Sequence, residues 1–342
     1  MKLKIFVMTV AIAAAMTFTA FADNMKPGKG VTLQPARATW DTGFFTEELA
    51  RKGLEELGYK VKKVKDLAVP LFYQSVALGD VDYWVNGWFP MHDAQLPKNF
   101  DKKAEKLGYV VKAGGLQGYL VSKKYAEEYN IKSLEDFKRP EVMKAFDTNG
   151  DGKADLIACP PGWGCEKVIT HHFDVYGLDK YINPIKASYS ASMAEGLAKF
   201  KNGEPVFFYT WSPNWTIFKM QPGKDVVWIN VPETNPTDAQ KSAVERMEVS
   251  GVTGAVTDPV KLGFVVADIM TVANKKFLEK NPAAAKFLKD FKIPLLDINA
   301  QNTRMNEGEK SAKDIAKHAD EWIANNKATW DGWLAEARAA AK

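Results

Sequence analysis

Apolar residues alternate between helical and strand-like spacing along the chain. Phe45, Leu49 and Leu54 lie near helical spacing and predict an amphipathic helix over 42–57 that ends at Gly58. The remaining elements are predicted in order: strands at 59–64, 81–88, 109–121, 153–157 and 205–209, and helices at 73–78, 166–175, 193–201, 275–279, 282–289, 307–326 and 332–341. This alternation predicts an α/β fold with largely parallel sheets.

The first 22 residues have the pattern of a secretory signal peptide. Lys2 and Lys4 precede an apolar run over 5–15 that is too short to span a bilayer, and the small-x-small pattern over 20–22 suits signal peptidase. An uncleaved anchor is the alternative. No cysteine lies near the predicted cut, which leaves lipid anchoring without support. The sequence predicts a mature periplasmic or secreted protein that begins at Asp23.

Composition is that of an ordinary soluble protein. Of the 342 residues, 46% are hydrophobic and 26% are charged, which excludes disordered, collagen-like and polytopic membrane classes. A chain of this length commonly divides into two lobes that bind ligands in the crevice between them. The net charge of +4 includes no basic block, so we expect no nucleic-acid partner.

Cys159 and Cys165 are the only cysteines of the chain. In an oxidising compartment a lone close pair predicts a disulfide. Closing so short a loop should stabilise the fold by about 2 kcal/mol, so its main effect is local rigidity. A zinc site is the alternative, but no further ligands lie at the usual spacing.

The segment 147–155 matches the first nine positions of a calcium loop. Asp147, Asn149, Asp151 and Asp155 supply oxygen at the ligand positions, but position twelve is Ala158 instead of a carboxylate. Because a strand is predicted to follow, an EF-hand is disfavoured. An Asx-rich turn held by its own side chains is the preferred interpretation, and we predict no metal.

The sequence offers little for catalysis and predicts no cofactor. His92, His171, His172 and His318 show no zinc spacing, and neither a nucleophile elbow nor a phosphate-binding loop is present. His171 and His172 are adjacent on a predicted helix and would point in different directions, so both are interpreted as structural.

Three tryptophans follow predicted strands or precede a helix, next to glycine or proline: Trp88, Trp163 and Trp211. Residues at the carboxyl ends of strands line the ligand crevice of α/β folds, although packing is the alternative for each ring. Indole faces suit a quaternary ammonium, which has no N–H to donate. The N–H groups of Gly164 and Cys165, near the start of a predicted helix, suit a carboxylate, and His92 adds a donor. A neutral sugar fits less well, so the set indicates a betaine.

At these residues the chain resembles a known family, the ProX-type glycine betaine-binding periplasmic proteins of osmoprotectant ABC transporters. The resemblance covers nearly all of the mature chain and is clearest in five stretches: Trp88–Asp93, Phe146–Glu166, Pro205–Trp215, Pro222–Trp228 and Asp297–Asn302. It implies that Trp88, Trp163 and Trp211 surround the trimethylammonium group. It also implies that His92 and the N–H groups of Gly164 and Cys165 hold the carboxylate, with Cys159 as the disulfide partner of Cys165.

The resemblance implies a two-lobed type II periplasmic binding protein fold with the ligand in the cleft between the lobes. The first lobe would comprise 23–117 and 264–342, and the second 118–263. The segment 233–258, with a helix-like pattern over 237–249, does not match the family pattern and leaves the second crossover open. The roles of Trp84 and Trp215 also stay open.

The expected function is capture of glycine betaine, with proline betaine as a second candidate, and delivery to a membrane permease with its ATPase. The protein is expected to be a monomer without enzymatic activity. Another quaternary amine, such as choline or carnitine, is the alternative ligand. An enzyme acting on a betaine, with His92 as base oriented by Asp93, is the alternative of another class.

Overall fold

The structure is a computed structural model that describes residues 25–341. The predicted signal peptide, its cut and the predicted mature start at Asp23 lie outside these residues. Within them, no helix has both the length and the apolar character needed to cross a membrane.

Short strands alternate with helices along the described chain. The strands are Thr32–Leu33 (β1), Ala36–Arg37 (β2), Lys60–Val61 (β3), Lys65–Asp66 (β4), Tyr83–Phe89 (β5), Ala104–Gly115 (β6), Gln117–Ser122 (β7), Ala154–Ile157 (β8), Ile182–Ile185 (β9), Phe207–Trp211 (β10), Val226–Ile229 (β11), Glu248–Val249 (β12), Val260–Lys261 (β13) and Ala267–Asn274 (β14). The α-helices are Thr42–Glu56, Val69–Leu78, Phe100–Lys103, Lys123–Glu128, Pro140–Phe146, Gly164–Tyr176, Tyr189–Lys201, Thr216–Lys219, Lys275–Lys280, Pro282–Asp290, Leu295–Asn306, Ala312–Asn325 and Lys327–Ala340. Three 3₁₀ helices complete the set: Met91–Gln95, Leu134–Lys138 and Asp238–Arg246.

The first sheet has the strand order β5-β14-β6, and both pairings are antiparallel. Two parallel two-stranded pairs, β1-β3 and β2-β4, lie beside it, and a parallel bridge between Pro35 and Tyr83 connects them to β5. The helix Thr42–Glu56 buries one face that includes Phe45, Leu49 and Leu54, as its apolar spacing predicts.

The second sheet has five strands in the order β11-β7-β10-β8-β9. The pairs β10-β8 and β8-β9 are parallel, whereas β7 is antiparallel to both β10 and β11. Four of its strands, β7, β8, β10 and β11, are buried throughout, which agrees with their apolar runs, whereas the edge strand β9 is only partly buried.

The expectation of largely parallel sheets is wrong, because both sheets contain strands of opposite direction. β5, β6, β8 and β10 end near the space between the two sheets, whereas β7 and β14 begin there after the chain passes from one sheet to the other. A strand that begins at the space between the sheets is antiparallel to neighbouring strands that end there. The predicted strand over 109–121 is two strands, β6 and β7, in different sheets.

The chain passes between the sheets at two places. Leu116 alone separates β6 from β7, and residues 262–266 connect β13 to β14. The predicted lobe boundaries, after Gln117 and after Gly263, fall at these two passages and stay a prediction.

The helix-like pattern over 237–249 is not one helix. A 3₁₀ segment, Asp238–Arg246, is interrupted at Ala243, and β12 follows it and pairs with β13. The polar residues over 237–249 therefore form a short irregular connection despite their helical spacing.

The predicted helix over 307–326 is also partly wrong. Leu295–Asn306 forms its own helix, and the next one begins only at Ala312. Ser311 and Asp314 form a capping box in which each side chain accepts a hydrogen bond from the other residue's N–H, at 3.2 and 3.0 Å. This box starts the second helix after a break.

Close helix packing at Gly53 provides a test of the fold. A Cβ at this position would lie 2.0 Å from the Cζ atom of Phe287, whose ring is fully buried. We expect Gly53→Ala to lower the free energy of unfolding by about 1–3 kcal/mol through overpacking. Urea denaturation measures the change. The matched control is Gly332→Ala on an exposed helix face with open space around it, which should be neutral or stabilising. Equal stability of the two variants would contradict the packing.

Candidate functional site

A small cavity lies where the two sheets face each other. About 270 Å³ within it is free of protein atoms, a figure that includes space open to solvent. Residues from strands of both sheets and from the adjoining loops and helix starts line it: Trp40, Trp88, Met91, His92, Gln117, Trp163, Gly164, Cys165, Tyr209 and Trp211. The structure therefore brings all six predicted ligand-binding residues to one place.

Four tryptophans form the apolar walls of the cavity. The rings of Trp40 and Trp163 lie 5.2 Å apart at 65°, and those of Trp163 and Trp211 lie 5.4 Å apart at 77°. Such steep edge-to-face angles place the rings as walls rather than as a stack. Trp88 extends from β5, and its ring packs against Gly115, where a Cβ would come within 2.7 Å.

Each of these four indoles donates its N–H to an oxygen acceptor on the side of the first sheet. Trp40 and Trp88 both donate to Oδ1 of Asn86, at 2.8 and 2.9 Å. Trp163 donates to Thr39 Oγ1 at 3.1 Å, and Trp211 donates to Thr42 Oγ1 at 3.4 Å. With the N–H edges engaged in this way, the cavity is left with electron-rich ring surface, which attracts cations.

His92 is a neutral donor at the base of the cavity. Its Nδ1 accepts hydrogen bonds from the backbone N–H of Trp88 at 3.1 Å and from the Tyr73 hydroxyl at 2.8 Å. Because a backbone N–H can only donate, the ring proton must be on Nε2. Burial, helped by the charge of Lys106, lowers the pKa of His92 to about 3. The Nε2 atom is buried and has no partner among the described residues.

The helix Gly164–Tyr176 begins beside His92. Its first N–H groups, those of Gly164 and Cys165, have no acceptor within the helix and carry the positive end of its dipole. A Cβ on Gly164 would lie 2.9 Å from His92 Cδ2 and 3.0 Å from two Met91 atoms. A side chain at Gly164 would therefore crowd this approach between the helix start and the 3₁₀ turn Met91–Gln95.

A disulfide fixes the loop that leads into this helix. Cys159 and Cys165 are bonded, as the sequence predicts. The disulfide thereby fixes the position of Trp163 relative to the start of the helix.

Gln117, at the first position of β7, adds another polar group. Its Oε1 accepts a hydrogen bond from the Tyr209 hydroxyl at 2.7 Å, which orients the amide. Within residues 25–341 its Nε2 is buried and has no hydrogen-bond partner, like the Nε2 of His92. The cavity thus combines aromatic walls with N–H donors, an arrangement that can hold a cation and an anion of one small molecule.

Known proteins with related sequences identify the family. The family model described as "Substrate binding domain of ABC-type glycine betaine transport system" matches residues 31–325. The chain belongs to this family. It is 42% identical to the glycine betaine-binding periplasmic protein OusX of Dickeya dadantii over 98% of each chain. It is also 42% identical, over 97% of each chain, to a protein of Salmonella typhimurium named glycine betaine/proline betaine-binding periplasmic protein.

A solved structure supports the fold. Lactococcal OpuAC, in a closed-liganded conformation complexed with glycine betaine, matches with a TM-score of 0.64 at 21% identity, over 89% of this chain and 99% of that one. The fold is therefore the two-lobed type II periplasmic binding protein fold, as predicted. We call the part built on the first sheet the first lobe and the part built on the second sheet the second lobe.

Four lining residues were not predicted from the sequence: Trp40, Met91, Gln117 and Tyr209. The available signal for Trp40 was its position directly before a helix, next to Asp41 and Thr42. Gln117 gave no signal, because an isolated glutamine beside a glycine in an apolar run has no characteristic spacing.

Trp84 and Trp215, whose roles the sequence leaves open, lie outside the cavity lining, as do His172 and His318. Trp84 is buried behind the cavity and stacks on the His92 ring at 5.9 Å, and Trp215 is also buried. His172 bonds Tyr119 and the Gly263 carbonyl, at 2.9 and 3.0 Å, and connects the second sheet to the second passage. His318 contacts Glu309.

The loop 147–155 is held by its own side chains. Asp147 accepts hydrogen bonds from the N–H groups of Gly150, Asp151 and Gly152, at 2.7, 3.1 and 2.9 Å. Asp155 accepts hydrogen bonds from Thr148 and from the amides of Asn149 and Asn183. This is the geometry of an Asx-rich turn. Over residues 25–341 the structure shows no group of three or more His, Cys, Asp or Glu side chains that could hold a metal.

Acid should destabilise the protein through its buried histidines. Burial lowers the pKa of both His92 and His172 to about 3 from an ordinary 6.5, so between these values the unfolded chain binds more protons than the folded one. The contribution of the two neutral histidines to the free energy of unfolding is complete above pH 6.5 and is lost as the pH falls towards 3. Each histidine should contribute a slope of up to about 1.4 kcal/mol per pH unit.

Urea denaturation of the parent and of His92→Gln at several pH values between these two pKa values measures that slope. His92→Gln should reduce it. A parent slope retained in His92→Gln would contradict the buried neutral state of His92.

Proposed function

We propose that this protein binds glycine betaine in the cavity between its two lobes and releases it unchanged to an ABC transporter. The family description and the names of two relatives at 42% identity support this ligand class. Proline betaine, which the Salmonella relative's name includes, is a second candidate ligand.

The cationic end of the ligand belongs among the tryptophans. A trimethylammonium group has no N–H, so it gains little from hydrogen-bond acceptors and most from ring faces in a dry site. Trp88 and Trp211 are almost fully buried, and Trp163 is half-buried at the edge of the cavity. Each ring should contribute about 0.5–2 kcal/mol to binding.

The carboxylate belongs at the opposite end, against the donors. The Nε2–H of His92 and the N–H groups of Gly164 and Cys165 converge where the helix start meets the 3₁₀ turn Met91–Gln95. Gln117 Nε2 provides a further unpartnered donor. Hydrogen bonds from these groups to a charged acceptor would remove the cost of burying them unpaired.

The geometry of His92 also supports binding without chemistry. Its one basic nitrogen, Nδ1, is occupied by the Trp88 N–H and the Tyr73 hydroxyl, so the nitrogen left for a ligand is a donor. Asp93 pairs with Lys106 and does not orient the imidazole. The family and its relatives are transport proteins, which makes an enzyme a poor alternative.

The proposed setting is the periplasm, after cleavage of the signal peptide predicted over 1–22. Relatives at 42% identity are named periplasmic proteins. There the protein would act as a monomer and deliver its ligand to a permease with its ATPase.

The observation that carries the proposal is the pairing of an aromatic box with buried, unpartnered N–H donors in one small cavity. Isothermal titration of the mature protein with glycine betaine, choline, carnitine and a neutral sugar tests it. We expect a dissociation constant for glycine betaine near the micromolar range, about −8 kcal/mol, and no sugar binding. Absence of binding to every quaternary amine would overturn the proposed function.

Removal of one box ring should weaken binding selectively. Trp163→Ala should raise the dissociation constant for glycine betaine by at least about tenfold, because one cation–π contact and part of the water exclusion are lost. The matched control is Trp333→Ala, another half-buried tryptophan that lies in the C-terminal helix against Phe291 and Trp322. Calorimetry measures the dissociation constant for glycine betaine of both variants. Equal constants would exclude Trp163 from the site.

Loss of the imidazole donor should distinguish betaine from choline. His92→Leu should weaken glycine betaine binding by about 10- to 100-fold, as for loss of a hydrogen bond to a charged group. Choline has no carboxylate, so its affinity should change by less than about threefold. If the two ligands lose affinity equally, His92 does not bind the carboxylate.

A further inference from the structure

The fourth wall of the cavity, Trp40, differs from the other three in its origin. It lies in the segment just before the helix Thr42–Glu56, not at the end of a strand of either sheet. Its ring is 6% exposed and approaches Trp163 of the second lobe to 5.2 Å and Trp84 to 5.7 Å. Trp40 therefore spans from the packed core behind the cavity to the opposite lobe.

Asn86 determines how this ring is held. Asn86 lies between Trp84 and Trp88 in β5, and alternation along a strand places all three on one face of the sheet. It is fully buried, and its one carbonyl oxygen accepts the N–H of both Trp40 and Trp88. One amide thus fixes the relative orientation of two cavity walls.

From this geometry we infer that Trp40 is a fourth ligand-contacting ring, positioned by Asn86, and that it makes the site selective for a compact trimethylammonium head over a bulkier quaternary nitrogen held within a ring. The inference rests on the proposed function and specifies its substrate. Trp40 is a binding residue, whereas Asn86 acts through the two indoles.

The physical reason is the limited room between the walls. Trp40 lines the cavity in edge-to-face contact with Trp163, with the ring centroids 5.2 Å apart, so these two walls leave little room beside them. A pyrrolidinium ring is wider than three methyl groups, so it meets a fixed fourth wall earlier. Because Asn86 accepts the indole N–H of Trp40, this ring cannot turn aside without leaving its own buried N–H unpaired.

Calorimetry with glycine betaine and proline betaine tests the inference. Trp40→Ala should weaken glycine betaine binding by about 2- to 30-fold, the range of one cation–π contact. Proline betaine should lose less, because removal of the indole relieves its crowding. The ratio of the two dissociation constants should therefore move towards proline betaine by at least about threefold, while Trp333→Ala leaves it unchanged.

Asn86→Leu removes the shared acceptor and should shift the ratio in the same direction. A merely structural role would lower the unfolding midpoint and leave the ratio as in the parent. If Asn86 acts through Trp40, the double variant Trp40→Ala, Asn86→Leu should shift the ratio no further than the larger single change, as a coupled pair does in a double-mutant cycle.

The outcomes are distinct from those of the proposed function. If the parent binds glycine betaine and Trp40→Ala retains both affinities or loses both equally, the inference is wrong and the proposed function stands. A parent that binds no quaternary amine overturns both. If Trp40→Ala does not fold, Trp40→Ile keeps an apolar side chain without a ring face, and the same shift of the ratio is expected.

Discussion

The site depends on buried N–H groups that have no acceptor within the described protein. The Nε2 atoms of His92 and Gln117 are buried. His92 is held in place by the Tyr73 hydroxyl and the backbone N–H of Trp88, and Gln117 by the Tyr209 hydroxyl. Such donors cost about 1–3 kcal/mol each when unpaired. In the proposed function, a ligand carboxylate would remove this cost, and the binding affinity would gain accordingly.

The aromatic part of the site differs from the donor part, because its N–H groups are paired. The four indole N–H groups do have acceptors, and all of these acceptors lie in the first lobe, although Trp163 and Trp211 belong to the second. The bonds to Thr39 and Thr42 therefore exist only where the two lobes meet. A ligand that contacts both lobes favours the arrangement in which these bonds form.

Local patterns predicted six of the residues that line the cavity. Trp88, Trp163 and Trp211 stand out because each lies beside glycine or proline at a strand end or helix start, and His92, Gly164 and Cys165 follow from the same motifs. Trp40 and Gln117 were missed because neither has a distinctive neighbourhood in sequence. Their proximity to the cavity arises from contacts with residues far away in the chain, Asn86 for one and Tyr209 for the other.

The sequence by itself determined the α/β class, the positions of most helices and strands, the disulfide and the chemistry of the loops, because periodicity, capping and turn residues act over a few positions. Only the tertiary structure decided strand direction, the break of 237–249 into a 3₁₀ turn and a strand, and the approach of Gly164 to His92. These features depend on how the chain passes between two sheets, and no local pattern encodes a contact between residues 72 positions apart (Gly164 and His92). The tautomer of His92 was decided in the same way, since it follows from a backbone N–H and a tyrosine that the fold brings to its Nδ1.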